Sequence, residues 1–385
     1  MTERFALTGA RIFDGADWHD RAALVVGDDV VEGVMAADSP SDVRRVALDG
    51  GMLVPGFIDL QVNGGGGVLL NQEPTIDGIR TICETFAQFG TTALLPTLIT
   101  DIPDVTGRAV RAGIEAARLA VPGFLGLHLE GPHLSLARKG AHDPRLIRPM
   151  EDADLQRLIE ARAGLPNLLT TVAAETVRPD QIAALAKAGI VVSIGHSDAG
   201  YAATRAAAEA GASMVTHLFN AQSQLGNREP GVVGAALDIG TLWAGLIADG
   251  IHVDATTIGI ALRAKRGPAK IFLVTDAMSL TGSPEQSFTL NDRLIHRANG
   301  ALRLADGTLA GADLTMIDAI AYLHRTIGLP LEEVLRMAAL YPAQAMGIAA
   351  RHGQLKRGAI ASMVHVSDDL EVRATWIGGR KVFTA

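Results

Sequence analysis

Residues 168–198 read LLTTVAAETVRPDQIAALAKAGIVVSIGHSD, and this stretch decides the fold. Two short apolar runs, 168–173 and 190–194, flank a helical pattern rich in Ala and Leu at 180–188. A strand, a helix and a second strand in that order make a βαβ unit. Working outward, the alternation recurs from Val54 onward. The further strand candidates are 53–60, 92–98, 124–129, 213–218, 242–248 and 271–275, which with the first two make eight. Their near-continuous hydrophobicity suits parallel strands covered on both faces, and eight such units close a (β/α)8 barrel more naturally than they extend an open, doubly wound sheet. Helical patterns at 201–210, 313–327 and 331–340 belong to the outer ring.

The two chain ends look different. Residues 4–35 and 354–382 read as short strands with Gly and Asp turns and carry no helical pattern. They are expected to pair into one small β-sandwich, giving a division into residues 1–52, a barrel of 53–350, and residues 351–385. A hairpin-like insertion at 287–310 interrupts the barrel after its eighth strand, with turn signals at Asn291-Asp292, Asn299-Gly300 and Asp306-Gly307. The run Gly64-Gly65-Gly66-Gly67 lacks the Lys-Ser/Thr of a nucleotide loop and reads as close backbone packing.

A chain of 385 residues, 48% hydrophobic and 20% charged, can bury a sizeable core. A net charge of -8 without a dense Lys/Arg block argues against nucleic acid, whose phosphates need clustered cations. The single cysteine, Cys83, between Ile82 and Phe86, fits a buried helix position and excludes an internal disulfide. Residues 1–10 contain Glu3 and Arg4 and no signal-like apolar stretch, and no run reaches membrane-spanning length. The expectation is a cytoplasmic protein without a membrane partner.

In such barrels the C-terminal strand ends face the active site. Here they end in Asp59-Leu60-Gln61-Val62-Asn63, His128-Leu129-Glu130, Gly195-His196-Ser197, Thr216-His217-Leu218-Phe219-Asn220, Ala248-Asp249-Gly250-Ile251-His252 and Thr275-Asp276-Ala277. One carboxylate and two imidazoles from three strands form a catalytic zinc set with a position left open, so Glu130, His196 and His217 are assigned as metal ligands. Any one of these histidines alone would read as a hydrogen-bonded barrel residue. Their coincidence with Asp276 carries the assignment, and Asp276 is assigned as the general base and acid.

These segments, with Pro55-Gly56-Phe57-Ile58-Asp59, Leu129-Glu130-Gly131-Pro132 and Arg228-Glu229-Pro230-Gly231, resemble the N-acetylglucosamine-6-phosphate deacetylases of the amidohydrolase superfamily. The resemblance implies hydrolysis of N-acetylglucosamine 6-phosphate to glucosamine 6-phosphate and acetate. It implies a homodimer in which Arg228 reaches into the neighbouring site and, with His252, grips the phosphate. Backbone at Asn220 and Ala221 would meet the phosphate too, and His142 would lie near the substrate carbonyl or hydroxyls. Where most of the superfamily has His-X-His for a second metal, this chain has Gln61 and Asn63, whose neutral amides bind zinc poorly. One divalent ion per subunit follows, zinc first, with iron(II), cobalt(II) or manganese(II) as alternatives. The competing readings are another amidohydrolase acting on a cyclic amide or dipeptide, and a non-catalytic scaffold.

Overall fold

The computed structural model describes residues 4–39, 43–298 and 300–385. Eight strands pair in chain order, each parallel to the next: Phe57–Val62, Thr91–Ile99, Leu127–Glu130, Leu168–Val172, Val191–Ile194, Met214–Val215, Trp243–Leu246 and Ile271–Leu273. The ring closes just beyond the strand ends. The Asp276 N–H donates to the Gln61 carbonyl at 3.0 Å and the Asn63 N–H to the Ala277 carbonyl at 2.8 Å. This is a (β/α)8 barrel, with its core filled by branched and aromatic side chains such as Leu60, Leu127, Ile194 and Phe272.

The expected first strand, residues 53–60, is two strands. Met52–Pro55 runs antiparallel to Met363–Val366 and parallel to Arg11–Phe13, outside the barrel. Phe57–Val62 then opens the barrel itself. The hydrophobic run conceals the break because both pieces are buried: Leu53 packs in the core of the small sheets, while Val54 and Phe57 pack in the barrel core. Gly56 sits at the junction, where a Cβ would lie 2.1 Å from Thr92 Oγ1. The third strand begins later than expected, at Leu127, and the sixth shrinks to Met214–Val215. The expected helix 313–327 is an α-helix, Met316–Tyr322, continued by a wider π turn, Leu323–Ile327.

Strands from both chain ends meet in one six-stranded sheet, and a four-stranded sheet from the first end packs against it through Phe5, Leu7, Leu24, Leu53, Met363 and Trp376. The insertion is a three-stranded antiparallel sheet, Ser287–Leu290, Arg293–Ala298 and Ala301–Leu304. Its first turn places Asn291 and Asp292 at φ of 50° and 59°, the left-handed region that a two-residue hairpin loop requires. Asn299 of the second expected turn, and residues 1–3 of the N-terminal reading, lie outside the described residues. The insertion's apolar face packs on Leu69, Ile99, Met278 and Leu280, and Arg293 donates to the Ala141 carbonyl. That packing seats it over the C-terminal end of the barrel. No helix among the described residues is long and apolar enough to cross a membrane.

Candidate metal centre and active site

Three strand ends bring Glu130, His196 and His217 to one point. Glu130 Oε1 lies 3.3 Å from His196 Nε2 and 3.2 Å from His217 Nε2, and the two Nε2 atoms are 3.1 Å apart. Ligands about 2.0–2.1 Å from a tetrahedral ion are separated by about 3.3 Å, so these three atoms have the spacing of one face of such a polyhedron. The donor set fits a divalent metal. His196 Nδ1 donates to the Arg138 carbonyl at 2.8 Å, which would leave Nε2, once it gives up its own proton, free to bind a metal on the side facing the other two. Glu130 is fully buried. Burial pushes its carboxyl up, but hydrogen bonds and charge from His196 and His217 outweigh that and hold it well below the ordinary range.

The ligand-capable atoms of Glu130, His142 and His196 also lie within 4.8 Å of one another. His217 stands nearer to Glu130, at 3.2 Å, whereas His142 Nε2 stands 3.9 Å from Glu130 Oε2 and its other nitrogen is committed elsewhere. Nδ1 of His142 accepts from the Thr100 N–H at 3.3 Å and contacts Thr100 Oγ1 at 2.8 Å. The proton therefore sits on Nε2, a donor aimed at the cavity. Burial, reinforced by the charge of His196, holds His142 at a pKa of about 3, so this ring is neutral.

Asp276 faces the trio. Gln61 Nε2 donates to its Oδ1 at 3.1 Å and Asn63 Nδ2 donates to the same oxygen at 2.7 Å; Gln61 Nε2 also reaches Glu130 at 3.3 Å. Two amides with their N–H groups toward carboxylates fill, as hydrogen-bond donors, the positions where a second cation would otherwise sit. Burial raises the Asp276 carboxyl above the ordinary range, with His217 opposing and the Glu130 charge assisting. His196, His217 and Asp276 all take left-handed φ values, of 46°, 29° and 53°. His and Asp tolerate that region better than most residues, and here it turns each side chain toward the barrel axis at its strand end.

Below this layer, His128 Nε2, Thr171 Oγ1, Thr216 Oγ1 and Ser193 Oγ are linked in a buried chain with steps of 2.7, 2.7 and 2.6 Å. It ties the strands carrying the trio to one another, so the ligands stand on a rigid floor.

A cavity of about 350 Å³ opens above, lined by Asn63, Glu130, His142, His196, His217, Asn220, Ala221, His252 and Asp276 among others. His252 Nδ1 bonds Asp249 Oδ2 at 2.6 Å, which presents its Nε2 to the cavity. Arg228 is exposed and does not line this cavity. Sequence reading by strand ends missed Arg138, which sits in the loop between Glu130 and His142. It also missed Met278 and the insertion residues Leu290 and Thr308, all of which line the cavity. The adjacent cations Arg138-Lys139, three residues before His142, were the one available signal.

The amidohydrolase family model matches residues 52–382, and a NagA composite domain matches residues 4–53. An N-acetylgalactosamine-6-phosphate deacetylase of Shewanella sp. (strain ANA-3) is 39% identical over 98% of this chain and 95% of its own. An N-acetylglucosamine-6-phosphate deacetylase of Haemophilus influenzae is 35% identical over 98% and 99%. Among solved structures, the N-acetylglucosamine-6-phosphate deacetylase of Pasteurella multocida superposes with a TM-score of 0.95 at 35% identity, covering 99% of this chain and 100% of the other. A variant of the Mycobacterium smegmatis enzyme in complex with N-acetyl-D-glucosamine-6-phosphate superposes at 0.91 with 31% identity, covering 100% of both chains.

Proposed function

The chain belongs to the amidohydrolase family, and from that membership we propose that its barrel-end site hydrolyses N-acetylglucosamine 6-phosphate to glucosamine 6-phosphate and acetate. The observation that carries the reading is the convergence of Glu130, His196 and His217 at 3.1–3.3 Å, with Asp276 facing them. A divalent ion held there, zinc by preference for this donor set, supplies Lewis acidity that makes water more acidic and the amide carbonyl more electrophilic.

The chain's own residues do the rest. Asp276 accepts a proton from the attacking water, its Oδ1 fixed by Gln61 and Asn63. It returns that proton to the sugar nitrogen as the C–N bond breaks, so water is consumed and acetate and the free amine leave. Neutral His142 donates from Nε2 to the substrate carbonyl or a hydroxyl. His252, oriented by Asp249, and backbone at Asn220 and Ala221 receive the phosphate. Arg228, exposed on its own chain, reaches the neighbouring site of a homodimer. The single buried thiol and the small anionic substrate suit a cytoplasmic enzyme.

A second reading keeps the chemistry and changes the sugar, because the 39%-identical relative is named for N-acetylgalactosamine 6-phosphate. Metal-loaded protein should release acetate from one or both phosphosugars, with metal content near one ion per chain. Absence of acetate from both, with the ion verified in place, would refute the proposal.

A further inference from the structure

Among the described residues lining the catalytic cavity, Arg138 is the only lysine or arginine. The remaining titratable groups there are the two carboxylates Glu130 and Asp276 and the four imidazoles of His142, His196, His217 and His252. A phosphorylated sugar entering a pocket with two carboxylates, on a chain of net charge -8, gains from a permanent cation built into the same chain, beside the Arg228 that the proposed homodimer would supply. We propose that Arg138 is a specificity-determining residue that pairs with the substrate phosphate from within the same protomer. This rests on the phosphosugar reading of the site and adds to it a residue outside the strand ends.

The geometry of Arg138 suits that task. Its carbonyl accepts from His196 Nδ1 at 2.8 Å, which anchors its backbone beside the metal-ligand layer. Its side chain is about one-third exposed, at 36%. Asp198 Oδ1 accepts from Nε at 2.8 Å, and the two terminal nitrogens have no hydrogen-bond partner among the described residues. A guanidinium clamped through Nε presents its remaining N–H groups as a fixed fork, the arrangement that binds a phosphate through two parallel hydrogen bonds. Asp198 is in turn held by its own N–H, which donates to Glu175 Oε1 at 2.7 Å. That bond anchors the backbone from which the Asp198 carboxylate reaches Arg138. Because the contact to His196 is made by the backbone, shortening the side chain removes the cation and leaves the ligand's hydrogen bond in place.

The test uses metal-loaded protein. Arg138→Ala should raise KM for N-acetylglucosamine 6-phosphate by about tenfold or more while kcat changes less than about threefold. The preference for the phosphorylated over the free sugar should narrow by the same factor. Arg138→Lys, which keeps the charge and loses the fork, should recover part of the loss. Inorganic phosphate titrated calorimetrically should bind Arg138→Ala at least about tenfold more weakly than the parent. That arm needs no turnover. A parent inactive on phosphosugars that binds phosphate through Arg138 would refute the sugar reading and keep Arg138 only as the phosphate contact of this cavity. Unchanged KM and unchanged phosphate affinity in an otherwise active variant overturn the inference. An equal loss on phosphorylated and free sugar also overturns it, because that marks a disturbed His196.

Discussion

The proton traffic assigned to Asp276 depends on how this one side chain is held. Its Oδ1 takes hydrogen bonds from both Gln61 and Asn63, and burial raises its pKa. Asp276→Asn keeps the shape and an acceptor oxygen for those amides, so metal content and KM should stay near the parent values. Turnover should fall by about 10²–10⁴, the usual worth of a positioned acid or base. A base works only when ionised, so the parent's kcat/KM should drop as pH falls through the raised value, an acid limb above the usual aspartate range. The residual rate of the variant should lack that limb; a variant with near-parental turnover and the same limb would move the role elsewhere. The convergence of Glu130, His196, His217 and Asp276 was legible because each follows an apolar run at a strand end. The use made of Gln61 and Asn63 was not. Sequence shows two neutral amides and predicts weak metal binding, whereas only the closed barrel shows them donating to a carboxylate 213 residues away from Asn63.

At the scale of elements, the loop after Glu130 is tied to the helix Asp152–Gly164 by one carboxylate. Asp154, 9% exposed at its side chain, receives Arg148 at 2.5 and 2.7 Å, Arg157 at 3.1 Å and the Glu151 N–H at 3.0 Å. Burial opposes ionisation there, but Arg148 and the Glu151 N–H win and bring the pKa from 3.8 to about 2. A depressed acid contributes stability that is present above its unfolded pKa and disappears as pH falls through the folded one. Asp154→Asn should therefore cost on the order of 1–2 kcal/mol at pH 7. In urea titrations the gap to the parent should persist at about pH 5, narrow below about pH 4 and close near pH 2. A gap independent of pH would mean that shape, not charge, does the work. Element boundaries show the same division between what pattern can and cannot reveal. Helices 180–188 and 201–210 were legible to within a residue, because one face of each meets the barrel and the other meets water. The break at Gly56 was invisible, since burial on both sides of it erases the polar signal that would mark a boundary.

For the whole molecule, the proposed metal is a tie between distant parts of the chain, because its ligands come from the third, fifth and sixth barrel strands, at Glu130, His196 and His217. An unfolded chain cannot hold those three atoms within 3.3 Å of one another, so the ion binds the folded state alone and its binding free energy adds to folding. At a free concentration a thousandfold above Kd that addition is about 4 kcal/mol. With about 2.1 cal/mol/K of unfolding entropy per residue, 385 residues give about 0.8 kcal/mol/K. Stripping the ion should then lower Tm by about 5 °C. One equivalent of divalent metal per chain should restore it, and further equivalents should add nothing, because Gln61 and Asn63 offer donors where a second ion would need lone pairs. His196→Asn should melt at the same temperature with or without chelator. If metal analysis shows the ion gone and the parent's Tm has not moved, the three ligands named here are not the ones that hold it.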